Sequence, residues 1–472
     1  MAMILYILYV EPLLLYLEMN LIGLKIAGIS QILEAYCDDV NVLTDNLEDL
    51  VTVDTAVSEF ESFSGAILSR SKKCKILGFG SWREKSVWPL DYVQTEHELK
   101  IFGIFIKDSY PSLLKRNWDY RFVKFSSCIK SWSSRFLPSL ASKVEIIKSF
   151  GLSRIYYVAA ILPVNATTVK KFESLIGNFI WKSSGWLLRI ALDEIKNKLD
   201  DGGLNLVCVQ TMCNSLLLSQ LLRLLKSSYT KALLHVDSWI GDSLVDLLPA
   251  FGHCVAPKSI PDYYCHLESL VVLGRIDDLV TPSKWKSLTN KQLYAEQYKN
   301  FPLPKVQREA NSTLDYSISW KRISSPILAP PDRDISYLML HNKLPNKERL
   351  FRVGLNSDPF CHACPGSPIC DLEHFFCLCS RVQSVWPRVR DLLTDMIGID
   401  MPNDQLLNYN MKKSSYENEV VWLLGSYLSE TWRILSSGSN ILKEEEFFGF
   451  LKFKFKKDQS GARVSFNCIP GL

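Results

Sequence analysis

Five of the thirteen cysteines fall between Cys361 and Cys379, and this cluster constrains the fold more than any other feature of the chain. Zn²⁺ takes four nitrogen or sulfur ligands in a tetrahedron, and a Cys-x2-Cys turn lets two thiolates face one ion. Cys361 and Cys364 form such a half-site, and the best second half is His374 with Cys379, which gives the pattern C-x2-C-x9-H-x4-C. His362, Cys370 and Cys377 lie in the same run, with Cys377 the main rival to Cys379, so spacing alone leaves that choice open. A module this small has too few residues for a core of its own, so the metal is expected to be part of its fold, in a closed, structural shell. Clustered thiols with the rest scattered also point to a reducing compartment rather than a secreted disulfide framework.

The 472 residues, 47% hydrophobic and 22% charged, can bury substantial cores in about two to four domains, and there is no low-complexity tract to suggest disorder. Net charge is only +4, but it is unevenly spread. Between Pro111 and Ile155 stand Lys115, Arg116, Arg121, Lys124, Lys130, Arg135, Lys143, Lys148 and Arg154 against only Asp119 and Glu145. Such a stretch is either a solvated helical face or a track for a polyanion.

The apolar N-terminus lacks a basic leader, and Glu11-Pro12 divides it short of a bilayer span, so it predicts a buried helix rather than an anchor. No other segment qualifies as transmembrane. Residues 32–44 read as a short hairpin with Asp38-Asp39 at its turn, followed by a helix from Leu47 to Phe63 ending at Gly65. Leu99 to Ile106 reads as a strand with a glycine inside it. The spacing of Val144, Ile147, Gly151, Ile155, Val158 and Leu162 predicts a helix closed by Pro163. The leucine-rich run from Cys213 to Leu225 predicts a buried helix, and the Pro/Ser cluster from Ser324 to Asp332 a linker. In the charged run from Lys443 the apolar residues give no decisive period.

Paired acids at a hairpin turn are usually ordinary turn residues. Here the pair sits in Tyr36-Cys37-Asp38-Asp39, which resembles the central palm motif of reverse transcriptases, and further likenesses follow in order. Ser64-Gly65 leading to Ser71-Lys72-Lys73 resembles the next palm motif, Leu99-Lys100-Ile101-Phe102-Gly103 the primer-grip strand, and Tyr6 to Leu13 the tail of the template-side helix. Trp132-Ser133-Ser134-Arg135, Ile161-Leu162-Pro163, Phe179-Ile180-Trp181 and Gly202-Gly203-Leu204-Asn205-Leu206 resemble the thumb and following region of non-LTR, LINE-like retrotransposon enzymes. The resemblance implies Asp38, Asp39 and Tyr36 at a polymerase site holding Mg²⁺, with Lys73 near the incoming nucleotide. It also implies that Lys115, Arg116, Arg121, Lys124, Lys130, Arg135, Lys143 and Lys148 contact nucleic acid. The family's third aspartate has no counterpart, since the acids before Asp38 are Glu11, Glu18 and Glu34. The chain is therefore expected to lack the fingers and first palm strands and to be inactive alone.

The cysteine cluster carries the same likeness. His341-Asn342-Lys343-Leu344-Pro345, Arg349-Leu350-Phe351, Glu373-His374-Phe375-Phe376 and Trp386 resemble the zinc-binding module that follows the polymerase in such elements. The run from His374 to Trp386 fits that module better with Cys379 as ligand than with Cys377. The implied Zn²⁺ set is Cys361, Cys364, His374 and Cys379.

The expected fold is α+β and mainly α. A partial palm (1–110) leads to a basic helical thumb (111–190), a helical connector (191–325), a zinc module (326–400) and a C-terminal helical segment (401–472). The resemblance implies an RNA template and an RNA–DNA or DNA duplex as partners, no membrane, and a place in the cytoplasm and nucleus. The competing expectations are a non-catalytic nucleic-acid-binding protein and an inert remnant of a decayed element. No spaced acid constellation of a nuclease or an RNase H stands out after the cysteines.

Overall fold

The computed structural model describes residues 2–36, 39–67, 74–84, 88, 93–95, 97–135, 139–181, 190–226, 230–244, 259–273, 288–297, 303–308, 314–437 and 441–459. The chain is mainly helical, and among the described residues its strands form short two-stranded pieces between Leu24 and Lys107. It divides into two compact units whose segments interleave in sequence. One comprises Met1–Phe125, Arg154–Val169 and Gln210–Tyr298, the other Ser126–Ser153, Lys170–Val209 and Lys299–Leu472. The helix Tyr110–Ser133 gives its first part to one unit and the remainder to the other.

The first unit opens on the helix Ala2–Asn20, which continues through Pro12. From Ile7 onward, where burial is described, Val10 and Leu17 of the helix and Leu21 just after it are buried, whereas Leu8, Leu15 and Met19 are exposed, so the expectation of a buried helix is corrected to one buried along a single stripe. Because apolar residues occur all round this helix, composition could not say which face would be covered. Leu17 and Leu21 pack on Ala56 of the helix Leu47–Ser64. Asp49 ties the two helices together: its buried carboxylate accepts from the backbone N–H of Ile22 at 3.1 Å and Gly23 at 2.9 Å and from the Thr44 hydroxyl at 2.8 Å.

Two hairpins of this unit turn through paired left-handed residues, Ala27-Gly28 between Leu24–Ile26 and Ile29–Gln31, and Phe102-Gly103 between Glu98–Ile101 and Ile104–Lys107. Positive φ at both central positions is the I′ geometry that matches strand twist. The run Leu99 to Ile106 is thus a hairpin rather than one strand, because the glycine supplies the turn. Asn117 latches this hairpin to the helix Tyr110–Ser133, its amide donating to the Phe105 carbonyl and accepting from the Phe105 N–H. The leucine-rich helix is Val209–Lys226, and Leu217, Leu218, Leu221, Leu222 and Leu225 are buried against helices Thr230–Ile240 and Asp262–Leu273, as the sequence predicts.

In the second unit the predicted run from Val144 to Leu162 is interrupted. Leu140–Ile146 is α-helical, Ile147–Gly151 is a π-turn and Leu152–Arg154 a 3₁₀ turn, while the short helix Tyr156–Ala159 belongs to the first unit. Ser324 to Asp332 is not a linker: Pro330 and Pro331 open the helix Pro330–Leu340, with Asp332 buried in its first turn. Proline at the first helical positions costs no hydrogen bond, so a Pro pair can start a helix as readily as break one.

The core of this unit is the helix Glu417–Ser436, which packs on Pro330–Leu340 and Trp386–Ile397 and buries Val420 to Leu424 and Tyr427. Buried Arg322 pairs with Glu417 and donates to the carbonyls of Tyr409 and Met411 at 2.7 and 2.8 Å. Asp332 pairs with Lys454 of the C-terminal helix Glu444–Gln459, where Phe447 and Leu451 are buried. Gly202-Gly203 lies where no side chain fits: a Cβ at Gly202, whose φ is +78°, would stand 2.6 Å from both Pro304 and Trp320, and one at Gly203 would stand 2.0 Å from the Asn197 carbonyl oxygen. The Gly202 carbonyl faces the Tyr337 hydroxyl at 3.1 Å and His341 Nε2 at 3.0 Å.

Candidate metal centre

The centre is built from a short antiparallel ribbon and a π-turn. Phe360 pairs with Ile369, the Cys361 N–H donates to the Pro368 carbonyl at 2.8 Å, and the Cys370 N–H donates to the Pro359 carbonyl at 2.9 Å. Side chains alternate along this ribbon, so Phe360 and Ile369 point outward while Cys361 and Cys370 are buried. Gly366, at φ +71°, lets the loop after Cys364 reverse. On the other side His374–Leu378 forms the π-turn, closed by the Cys379 N–H on the His374 carbonyl at 2.7 Å. Asp371 accepts the His374 N–H at 2.7 Å. The whole turn rests on the core helix, because the Tyr427 hydroxyl donates to the Phe376 carbonyl and the Phe375 ring lies 5.3 Å from that of Trp432.

Four ligand atoms converge. The sulfurs of Cys361, Cys364 and Cys379 stand 3.8, 3.8 and 3.7 Å apart in pairs, and His374 Nε2 lies 3.5 Å from the Cys364 sulfur. All four atoms lie within 4.8 Å of one another. A Zn–S bond of about 2.3 Å and a Zn–N bond of about 2.0 to 2.1 Å at tetrahedral angles imply sulfur–sulfur edges of about 3.8 Å and sulfur–nitrogen edges of about 3.5 Å. The spacing therefore fits a tetrahedral Zn²⁺ shell and is too long for a disulfide. Burial and the neighbouring thiols push the Cys361 thiol up to about 12. Burial also raises Cys364, but hydrogen bonds with the Ser380 hydroxyl and N–H and with the thiols of Cys379 and Cys361 together outweigh it and leave that thiol below its usual value. Burial depresses His374, which keeps its imidazole neutral and able to ligate. The residues thus form a set that a thiophilic divalent cation can hold closed.

The rival thiols are not in this group. Cys370 and Cys377 are buried free cysteines outside the four, and the Cys377 thiol is pushed far up by burial. The His362 ring is exposed and pairs with Asp358 at 3.3 Å. Two residues that sequence reasoning passed over stand against the sulfurs: the Ser380 N–H donates to Cys364 Sγ at 3.1 Å, and Arg381 Nε donates to Cys379 Sγ at 3.5 Å. Their signal was their position, immediately after the last ligand.

No family model matches the chain. The sequence is 24% identical over 231 residues to a protein of Xenopus laevis described as the transposon TX1 uncharacterized 149 kDa protein. The match covers 47% of this chain and 17% of that protein, so the chain spans well under two thirds of its relative.

The other predicted residues are dispersed. Asp38 and Lys73 lie outside the described residues. Tyr36 and Asp39 face each other as a register pair at the end of the hairpin Leu33–Tyr36/Asp39–Val42, and both are exposed. Of the eight basic positions, Lys115, Arg116, Arg121 and Lys124 belong to the first unit and Lys130, Arg135, Lys143 and Lys148 to the second. Several have intramolecular partners. Arg116 is bidentate on Glu98 at 2.7 and 2.8 Å, Lys115 pairs with Asp119 at 2.7 Å, and Lys148 with Glu145 at 2.7 Å. Arg121 and Lys124 lie over the Tyr120 ring, and Arg135 over Trp132 at 4.4 Å. Lys143 is buried, and its ammonium donates to the Ile180 carbonyl at 2.7 Å. None of the helices searched among the described residues is long and apolar enough to cross a membrane.

Proposed function

We propose that the chain is a retrotransposon-related protein of the non-LTR reverse transcriptase kind, whose part in the element is to bind nucleic acid through exposed cations of its basic helical segment, and which also carries a zinc-stabilised module. The observation that carries this reading is the convergence of Cys361, Cys364, His374 and Cys379, the ligand set that the family resemblance implies. The distant similarity to a transposon protein supports the same origin. Phosphate contacts supply most non-specific affinity, so the exposed cations at Lys124 and Lys130 suit a partner recognised by charge rather than by sequence. RNA-directed DNA polymerisation is the second reading. It draws on the hairpin that brings Tyr36 and Asp39 to one exposed end, and on the family resemblance, by which Asp38 and Asp39 would hold Mg²⁺ through carboxylate oxygens.

Binding of the purified chain to labelled single-stranded RNA, RNA–DNA hybrid and duplex DNA over a salt series tests the first reading. Affinity should fall steeply with salt and vary little with sequence. Absence of binding at low ionic strength to all three would overturn it. Primer extension on an RNA template with Mg²⁺, absent from the chain alone, separates the two readings: extension abolished by Asp38→Ala would establish the second.

A further inference from the structure

Three thiolates and a neutral imidazole around one divalent cation leave a net negative charge, here in a site where Cys361, Cys379 and His374 are all buried. An uncompensated charge in such surroundings is costly, and metal sites offset it through groups outside the ligand shell. We propose that Arg381 is the outer-sphere counter-ion of the zinc–thiolate centre, donating Nε–H to Cys379 Sγ and fixing that thiolate's position and basicity. This rests on the zinc reading of the four-residue cluster.

The geometry singles out this residue. Its Nε lies 3.5 Å from the Cys379 sulfur, and Cys361 and Cys370 also act on the guanidinium through their charge when ionised. Among the described residues, Lys347 acts on Cys370 and Arg390 on Cys377, both thiols outside the ligand set. The Ser380 N–H donates to Cys364 at 3.1 Å, so consecutive residues serve two of the three sulfurs. Arg381 is also held by its own backbone: its carbonyl accepts the Leu442 N–H at 3.0 Å, while the Ser384 hydroxyl donates to the Leu442 carbonyl at 2.7 Å. Leu442 is fully buried, so this clamp fixes the loop from which the guanidinium reaches the sulfur. Arginine suits the role because its fork keeps its charge and a fixed direction where a lysine ammonium would be a mobile point charge.

The test uses the full chain loaded with Zn²⁺ or Co²⁺ and compares wild type, Arg381→Lys and Arg381→Gln. Wild type that binds neither metal at one equivalent defeats the underlying zinc reading and leaves nothing for Arg381 to balance. If wild type binds, Arg381→Gln should still take up one Co²⁺ but hold metal about ten- to a hundredfold more weakly against a chelator. Its thiolate-to-cobalt charge-transfer band should move to lower energy, because the sulfur has lost a cationic donor. Its bound thiolates should also react faster with iodoacetamide, and Arg381→Lys should fall between the two. Equal affinity, band position and alkylation rate in all three proteins would overturn the proposal. So would equal loss in the Lys and Gln variants, since that would assign the effect to side-chain packing rather than to charge. Should Arg381→Gln fail to fold, the Arg381→Lys band position and alkylation rate decide alone: values matching wild type refute the directed N–H···S contact.

Discussion

Replacing Cys361 by serine removes one ligand from the four-residue cluster while changing almost nothing in volume, and the comparison with Cys370→Ser isolates metal binding from packing. Both thiols are 2% exposed and sit on the same ribbon, yet only Cys361 stands 3.8 Å from Cys364 and from Cys379. A serine hydroxyl does not ionise near neutral pH, so the variant is left with three ligands and an open coordination position. With free zinc a thousandfold above the dissociation constant, wild type gains about 4 kcal/mol from binding, and Cys361→Ser should lose most of it. In a cooperative unit of this size 1 kcal/mol corresponds to about 2–4 °C in melting temperature, so the loss should read as about 10 °C. Cys370→Ser keeps the four ligands and should cost no more than about 1 kcal/mol of ordinary core perturbation. The assay is zinc content per chain by elemental analysis together with thermal unfolding followed by circular dichroism, each with and without EDTA. EDTA should lower the melting point of wild type and of Cys370→Ser but leave Cys361→Ser unmoved. Equal losses of zinc in the two serine variants, or a wild-type chain that carries no zinc, would refute the reasoning.

Four further outcomes are expected. Asp49 is held below its usual carboxylate range, since the hydrogen bonds from Gly23, Thr44 and Ile22 outweigh the upward pull of burial. It therefore stabilises the first unit above its unfolded pKa and loses that contribution as pH falls through its folded pKa. Asp49→Ala should cost about 3 kcal/mol at neutral pH, measured by urea unfolding, and flatten the acid limb. Asp334 moves the other way: burial pushes it up to about 7, against the opposing Leu140 N–H, Lys143 and Arg333. The folded chain then holds a proton the unfolded chain has released, so stability should decline as pH rises from about 4 to 7, and Asp334→Asn should remove that slope in urea midpoints taken across the range. Gly202→Ala forces a methyl to within 2.6 Å of Trp320, whereas Gly366→Ala meets open space at a similar φ; the first should cost more than about 2 kcal/mol and the second about 1 kcal/mol in denaturant unfolding. Finally, Lys124→Ala and Lys130→Ala should each flatten the slope of log K against log salt for duplex binding by about 0.9, while Lys143→Ala should leave the slope and reduce stability. A slope change for Lys143→Ala equal to the others would show that its ammonium leaves Ile180 on binding.

The sequence by itself determined the pieces whose physics is local. The C-x2-C half-site was legible because the spacing of two thiolates around one ion is a property of a few residues, and the family resemblance named His374 and Cys379 to complete it. The helix Leu47–Ser64 announced itself through its Gly65 stop, and the helix Val209–Lys226 through its density of leucine. Other features depended on which surfaces met. Phe102-Gly103 became a turn because both residues go left-handed under the Tyr157 hydroxyl, which donates to the Phe102 carbonyl from a segment 55 positions away. Pro330-Pro331 opened a helix because that helix could bury Ser336, Tyr337 and Leu340. Lys143 left the basic series when its ammonium found the Ile180 carbonyl, a partner 37 residues along. The choice of Cys379 over Cys377 has the same origin. One residue inside the π-turn and one just past it differ by two in sequence, but only the backbone path after the turn carries a sulfur to the other three ligands. Spacing states which atoms can reach a common point, and the packing of the turn on Tyr427 decides which of them do.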